Sequence, residues 1–145
     1  MNLFVDTGAS LALRQDTPPE VPVVRRLRQA LDEGEGVFTT GIVLQELLQG
    51  FSGPKDRDAI LERFAALPLL VPDRADHVEA AELRNRCRTR GIQVGTIDGL
   101  LAALCIRHEL TVLTADDDFR HMARQCDLHI WGPGLERSPP TIVAR

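Results

Sequence analysis

Short apolar runs alternate with longer segments of helical spacing along almost the whole chain. The runs predicted as strands are Asn2–Val5, Val37–Thr40, Leu69–Val71, Leu110–Thr114 and Leu128–Trp131. The segments predicted as helices are Pro19–Glu33, a stretch around Glu46 that ends at Gly50, Asp58–Leu67, Asp73–Arg90, a stretch around Asp98, and Phe119–Cys126. Strands that alternate with helices form a parallel sheet covered on both faces. The pattern therefore predicts a three-layer α/β/α fold around a short parallel sheet of about four to five strands.

The length of the chain allows one domain. With 145 residues, of which 43% are hydrophobic, the chain can bury one ordinary core. After Gly132-Pro133-Gly134 the sequence is polar, proline-rich and without periodicity. We therefore expect one domain over residues 1–134 and a C-terminal tail over residues 135–145.

The expected compartment is the cytoplasm. Every apolar stretch is much shorter than the roughly 20 residues that span a bilayer, and no export signal is recognisable at the start. The three cysteines, Cys87, Cys105 and Cys126, are an odd number at wide spacing, which argues against a disulfide framework or a zinc site. We expect no membrane association and reduced thiols.

Acidic side chains follow the predicted strands or begin the predicted helices. Asp6 closes the first strand, and Asp116 and Asp118 follow the fourth. Asp98 lies in the first turn of a predicted helix, where the helix dipole favours a carboxylate, and Glu46 is surrounded by apolar residues of another helix. In open parallel sheets, sites form beyond the carboxyl ends of the strands. These five acids are therefore expected to converge at one edge.

Each of these acids also has a purely structural explanation. An aspartate at the start of a helix is a common N-cap, worth about 1 kcal/mol. The convergence is what favours a metal, because two carboxylates about 4 Å apart repel by about 4 kcal/mol at an effective dielectric of 20. Mg2+ or Mn2+ would relieve this repulsion, and such an ion suits an all-oxygen site.

Four segments together resemble the PIN-domain family, and most closely its VapC-type toxin ribonucleases of type II toxin–antitoxin pairs. The segments are Phe4–Thr7, Val43–Gly50, Gly95–Ala103 and Leu113–Phe119. They occur in the family's order and at similar separations, across about the first 130 residues. The resemblance implies the same α/β/α fold.

The resemblance also implies roles for the acids. By position, the catalytic acids are Asp6, Glu46, Asp98 and Asp116, and the metal ligands are Asp6, Asp98, Asp116 and Asp118. Thr7 and Thr114 match supporting hydroxyl residues of the family. Gly8 departs from the pattern, because the family usually has Ser or Asn two positions after the first Asp.

The activity implied by the resemblance is Mg2+-dependent endonucleolytic cleavage of RNA, with tRNA or another structured RNA as the expected substrate. The implied partners are a small antitoxin protein, the RNA and a second copy of the chain in a homodimer. The net charge of −4 opposes a nucleic-acid partner, although a bound divalent cation would reverse the local sign at the acids. The arginines Arg84, Arg86, Arg88 and Arg90 are candidate RNA contacts, with a solvated helix end as the alternative.

Three other functions remain open from the sequence. Asp6-Thr7-Gly8 is the triplet of aspartic proteases, in which two aspartates share a proton, but those enzymes are nearly all β. A phosphoacceptor receiver domain also gathers aspartates around Mg2+, but it needs a lysine at a strand end, and the only lysine is Lys55. A non-catalytic PIN-like module that binds RNA or protein is the third alternative.

Overall fold

The structure is a computed structural model, and it describes residues 1–8, 22–50 and 53–132. Its five strands are β1 (Leu3–Val5), β2 (Val37–Thr40), β3 (Leu69–Leu70), β4 (Thr111–Leu113) and β5 (His129–Ile130). They form one sheet in the order β3-β2-β1-β4-β5, and every neighbouring pair is parallel. The predicted parallel sheet of four to five strands is confirmed.

Thr7 and Gly8 are helical, and six further helices lie wholly in the part of the chain that the structure describes. They are α1 (Pro22–Asp32), α2 (Gly41–Gln49), α3 (Pro54–Phe64), α4 (Arg74–Thr89), α5 (Thr96–Arg107) and α6 (Asp117–Ala123). Within residues 1–8, 22–50 and 53–132, no helix is both long and apolar enough to cross a membrane. The predicted tail over residues 135–145 lies outside the described residues, as do residues 19–21 of the first predicted helix.

The first strand shows that helices cover both faces of the sheet. Phe4 packs into the larger core, to which α2, α4 and α5 contribute. Its neighbours Leu3 and Val5 pack into a second core, formed mainly with α1. Because successive side chains of a strand point to opposite faces, this division requires a layer of helices on each side. The three-layer α/β/α arrangement follows.

The start of α3 differs from its prediction. The helix begins at Pro54, four residues before the predicted Asp58, and ends at Phe64. A proline is well suited to the first turn of a helix, where its missing N–H has no partner in any case. The preceding Gly53 has φ +134, a backbone conformation that glycine adopts most readily. Gly53-Pro54 is therefore a helix start as well as a break.

The buried face of α4 also differs from its prediction. The helical spacing of the sequence predicts that Ala75, Val78, Ala81 and Leu83 face the core; Leu83 is buried, but the other three are exposed. The residues that α4 buries are Asp76, Ala80, Leu83 and Cys87. On this face the Asp76 carboxylate binds Arg107 of α5 in two contacts, of 2.7 and 2.8 Å. Apolar spacing alone could not reveal this ion pair.

The register of β1 places the candidate site. In β1 and β4, Phe4 lies opposite Val112 and Val5 lies opposite Leu113. Asp6 directly follows Val5 of β1, and Thr114 directly follows Leu113 of β4. These two residues therefore leave the sheet at the same level of its carboxyl edge.

Candidate metal centre

Asp6 is a buried acid at the carboxyl end of β1. Its side chain is 5% exposed, and it accepts a hydrogen bond at Oδ2 from the hydroxyl of buried Thr114. The same Thr114 oxygen accepts the backbone N–H of Asp116 at 3.0 Å. One hydroxyl therefore links the acid of β1 to the first acid that follows β4.

Asp116 is both a helix cap and a member of the acidic site. It is the N-cap of α6, and its Oδ1 accepts the backbone N–H of Asp118 at 3.0 Å. An ionised carboxylate has about four lone-pair positions, so a cap occupies only part of its capacity. The capping and metal-binding explanations for Asp116 are thus compatible.

Asp98, Asp116 and Asp118 come close enough to share one cation. Asp98 lies in the first turn of α5, as predicted, and Asp118 lies in the first turn of α6. One carboxylate oxygen from each of the three residues lies within 4.8 Å of the other two. Three oxygens at this separation fit the ligand preference of Mg2+ or Mn2+.

The protonation of Asp98 reflects the concentration of negative charge. Burial, and then the charges of Asp116, Asp118, Asp6 and Glu46, raise the pKa of Asp98 to about 6. All four other predicted acids therefore act on this one carboxyl, so the structure brings the whole predicted set together. A divalent cation among them would oppose the rise in the Asp98 pKa.

Glu46 reaches the site from α2. Its Oε1 accepts a hydrogen bond of 2.7 Å from the Thr7 hydroxyl, which directly follows Asp6 in the chain. The helix that carries Glu46 is capped by Thr40, whose side chain accepts the backbone N–H of Val43 at 3.2 Å. Thr7 and Thr114 each contact an acid of the predicted set.

Thr39 is a residue of this edge that the sequence reasoning missed. Its buried hydroxyl donates to the carbonyl oxygen of Val5 at 3.1 Å. The contact joins the end of β2 to the peptide that leads into Asp6. The signal available in the sequence was the pair Thr39-Thr40, two hydroxyl residues at the end of a predicted strand beside the first acid.

Gly8 lies beside the Asp6 carboxylate. A Cβ atom added there would lie 3.7 Å from Asp6 Oδ1, an ordinary van der Waals separation. Among the described residues, no atom at this position makes glycine necessary.

The four candidate arginines, three in α4 and Arg90 as its C-cap, do not share one surface. Arg84 is partly buried, and its Nε donates to the carbonyl oxygen of Val94 at 2.7 Å. Arg86, Arg88 and Arg90 are exposed. Helical residues two apart point in roughly opposite directions, so these side chains cannot form a single stripe. Arg86 borders a groove of about 600 Å³ between α4, α5 and the segment after α6. Asp76 and Arg107 line this groove, and none of the five predicted acids does.

Comparison with known proteins shows one family match and several similar solved structures. The family model described as PIN domain matches residues 3–125. FitAcB from Neisseria gonorrhoeae is 24% identical over 90% of this chain and 97% of that chain, with a TM-score of 0.69. VapBC2 from Rickettsia felis, bound to a DNA fragment from its promoter, is 20% identical over 90% and 98%, with a TM-score of 0.73. VapC20 from Mycobacterium tuberculosis, described as a sarcin-ricin loop cleaving toxin, is 17% identical over 82% and 93%, with a TM-score of 0.62.

At these identities the solved structures establish likeness of fold. Comparison with curated protein sequences gave no match.

Proposed function

This chain belongs to the PIN domain family, and on that premise we propose that it is a metal-dependent endoribonuclease, the toxin of a toxin–antitoxin pair. The observation that carries the proposal is the convergence of the carboxylates on Asp98, whose pKa is raised by burial and by the four other acids. Nucleases that hydrolyse phosphodiesters commonly collect such carboxylates around divalent cations.

The residues present fit a divalent cation. Asp98, Asp116 and Asp118 offer three oxygens within 4.8 Å of one another, and Asp6 lies near enough to raise the pKa of Asp98. We assign these four acids as the ligands of Mg2+, with Mn2+ as a substitute. When bound, the ion supplies positive charge that polarises a phosphoryl oxygen and lowers the pKa of a bound water.

The side chains of the chain itself orient the reacting groups. Thr114 holds Asp6, and Thr7 holds Glu46 at 2.7 Å, so both acids are directed by hydroxyl groups. In the proposed reaction Glu46 and Asp116 orient the attacking water or complete the ligand set. A scissile phosphate would meet this edge in line with that water, and exposed arginines of α4 would neutralise neighbouring phosphates.

The expected substrate is tRNA or another structured RNA. VapC20, which shares this fold, is described as cleaving the sarcin-ricin loop, and this supports an RNA substrate for the present chain. The likeness to FitAcB and VapBC2 supports a cognate antitoxin as the protein partner. We include a homodimer in the proposal on the basis of the family resemblance.

The protease and receiver alternatives do not agree with the fold. The triplet Asp6-Thr7-Gly8 ends a strand of a parallel sheet flanked by helices, whereas an aspartic protease is nearly all β. Lys55 lies exposed in the first turn of α3, away from any strand end. A non-catalytic module is distinguished from an enzyme by Mg2+ titration, because a scaffold has no need of the ion.

The test is cleavage of RNA by the purified full chain in Mg2+, in EDTA, and with Asp98→Asn. Asp117→Asn is a matched control, because Asp117 stands between Asp116 and Asp118 but is 78% exposed and contacts Arg120. We expect cleavage by the wild type and by Asp117→Asn in Mg2+, and loss in EDTA and with Asp98→Asn. Cleavage that persists in both EDTA and Asp98→Asn would overturn the proposal.

The toxin assignment has its own test in cells. Expression of the wild type should arrest growth, and Asp6→Ala should abolish the arrest while the protein still accumulates. Co-expression of the adjacent small reading frame, if it encodes the antitoxin, should restore growth and co-purify with the chain. Unrestrained growth with the active wild-type enzyme present would contradict the toxin role.

A further inference from the structure

The turn that carries Asp98 has no side-chain cap of its own. The N-cap of α5 is Gly95, which has no side chain, and the first helical hydrogen bond runs from Gly99 N–H to Gly95 O at 3.0 Å. Helix starts are usually stabilised by a capping side chain. The position of Asp98 therefore depends on contacts from outside α5.

Arg84 of α4 supplies two such contacts. Its Nε–H donates to the carbonyl oxygen of Val94, the residue before the Gly95 cap, at 2.7 Å. Its aliphatic stem lies over Gly99, where an added Cβ atom would come within 2.7 Å of Arg84 Cγ and 3.0 Å of Cδ. The stem and the glycine interlock, one residue beyond Asp98.

The backbone of α4 also approaches α5 at this glycine. A Cβ atom at Gly99 would lie 3.6 Å from the carbonyl oxygen of Ala80, one turn before Arg84 on α4. The place that the Arg84 stem occupies is thus available only because residue 99 has no side chain. A bulkier residue there would displace the stem, the Val94 contact, or the first turn of α5.

We infer that Arg84 is a positioning residue of the metal centre, which holds the first turn of α5 through its stem and its Nε–H. The inference rests on the proposed function, because it assigns Arg84 a role in placing the ligand Asp98. It differs from the RNA contact expected from the sequence, which would depend on the charge of Arg84 alone. Lysine keeps that charge but has no N–H at the ε position of arginine.

The experiment compares Arg84→Lys and Arg84→Met with Arg74→Met, a control on the same helix at an exposed position. Isothermal titration of the full chain with Mg2+, without RNA, measures the dissociation constant. We expect both Arg84 variants to bind Mg2+ roughly fivefold more weakly or worse, the loss expected for one hydrogen bond. Arg74→Met should bind Mg2+ as the wild type does.

Kinetics separate positioning from a phosphate contact. At saturating Mg2+, Arg84→Lys should keep the KM for RNA of the wild type, since its effect falls on the metal affinity. If Arg84→Lys binds Mg2+ as the wild type does, the charge of Arg84 matters and its Nε–H does not. The same conclusion follows if only Arg84→Met differs from the wild type and the difference is in the KM for RNA. Either result would overturn the positioning role.

A second pair of variants tests the interlock. Gly99→Ala should weaken Mg2+ binding, because the new methyl group meets the Arg84 stem. In the double variant Arg84→Ala/Gly99→Ala the methyl group has room, so its affinity should stay within about twofold of Arg84→Ala alone. The interlock would be contradicted if the double variant loses Mg2+ affinity by the product of the factors lost in Arg84→Ala and in Gly99→Ala. Fluorescence of Trp131, the only tryptophan, verifies that each variant is folded.

Failure of this inference is distinguishable from failure of the proposed function. If the wild type binds no divalent cation and cleaves no RNA, the metal centre itself is wrong, and the role of Arg84 falls with it. If the wild type binds Mg2+ and every Arg84 variant matches it, only the positioning role is wrong.

Discussion

The hydroxyl of Thr114 donates to Oδ2 of Asp6, joining two residues that are 108 positions apart in the chain. The contact is possible because β1 and β4 are neighbours in the sheet and pair Val5 with Leu113. Thr114 also accepts the backbone N–H of Asp116. The orientation of the first acid is therefore tied to the segment that carries the last two.

Replacement of Thr114 should separate the role of its hydroxyl from that of its shape. Thr114→Val removes the hydrogen bond to buried Asp6 and should lower the free energy of unfolding by about 1–3 kcal/mol. Thr114→Ser keeps the hydroxyl and should lose less. Urea denaturation followed by the fluorescence of Trp131 measures both. A larger loss in Thr114→Ser than in Thr114→Val would show that the methyl group matters more than the hydroxyl.

The metal-free protein should lose stability as the pH rises from about 4 to above 6. The pKa of Asp98 is raised in the folded state to about 6, so folding favours the protonated carboxyl. Its contribution is complete below the unfolded pKa and is lost as the pH passes the folded pKa. Because solvent screens the half-buried group, the change should be on the order of 1 kcal/mol.

Urea denaturation at several pH values in EDTA measures this pH dependence. Asp98→Asn should flatten the curve in the same range, since the amide does not titrate. Parallel curves for the wild type and Asp98→Asn would rule out Asp98 as the titrating group.

Mg2+ should stabilise the folded chain at neutral pH. A ligand at 100 times its dissociation constant adds about 2.7 kcal/mol to the free energy of unfolding. The gain should be lost in Asp98→Asn and Asp118→Asn, which remove oxygens of the close triad. It should remain in Asp117→Asn, whose side chain is exposed. Thermal denaturation with and without Mg2+ tests this, and an equal gain in all variants would place the ion elsewhere.

Gly8→Ser should be tolerated. The new Cβ atom would lie 3.7 Å from Asp6 Oδ1, an ordinary contact and the nearest among the described residues. Serine also favours a helical turn over glycine by roughly 0.5 kcal/mol. We expect an unchanged or slightly higher melting temperature and Mg2+ affinity no weaker than that of the wild type. A melting temperature several degrees lower would show that the position requires glycine.

The Asp76–Arg107 pair should matter for stability. Asp76 is 2% exposed, and the hydrogen bonds from Arg107 are the largest cause of its lowered pKa. Arg107→Met leaves the buried carboxylate of Asp76 without this partner and should lower the free energy of unfolding, by more than the loss of an exposed pair does. Arg120→Met, which breaks the exposed pair with Asp117, should cost less than about 0.5 kcal/mol.

Acid denaturation gives the sign of the Asp76 contribution. Because its folded pKa is lowered, the stabilisation is present above the unfolded pKa and is lost as the pH falls through the folded pKa. The wild type should therefore lose more stability on acidification than Arg107→Met does. The opposite order would show that Arg107 does not hold this carboxylate in its charged form.

Sequence reasoning failed where a polar contact between distant residues decided the outcome. The apolar residues of α4 predicted a face that includes Val78, but the helix buries Asp76, which pairs with Arg107 of α5, and leaves Val78 exposed. The arginines of α4 looked alike in the sequence, yet Arg84 alone among the four is bound to the turn before Asp98. Thr39 was missed because its partner is a backbone carbonyl on another strand.

The sequence by itself determined the layers of the fold and the edge at which the acids meet. Those properties follow from local periodicity, because parallel strands present their carboxyl ends, and the residues that follow them, at one edge. Only the tertiary structure decided which group holds each acid. Thr114 meets Asp6 and Thr7 meets Glu46 because strand register and helix packing bring them together, and neither is encoded in the spacing of nearby residues.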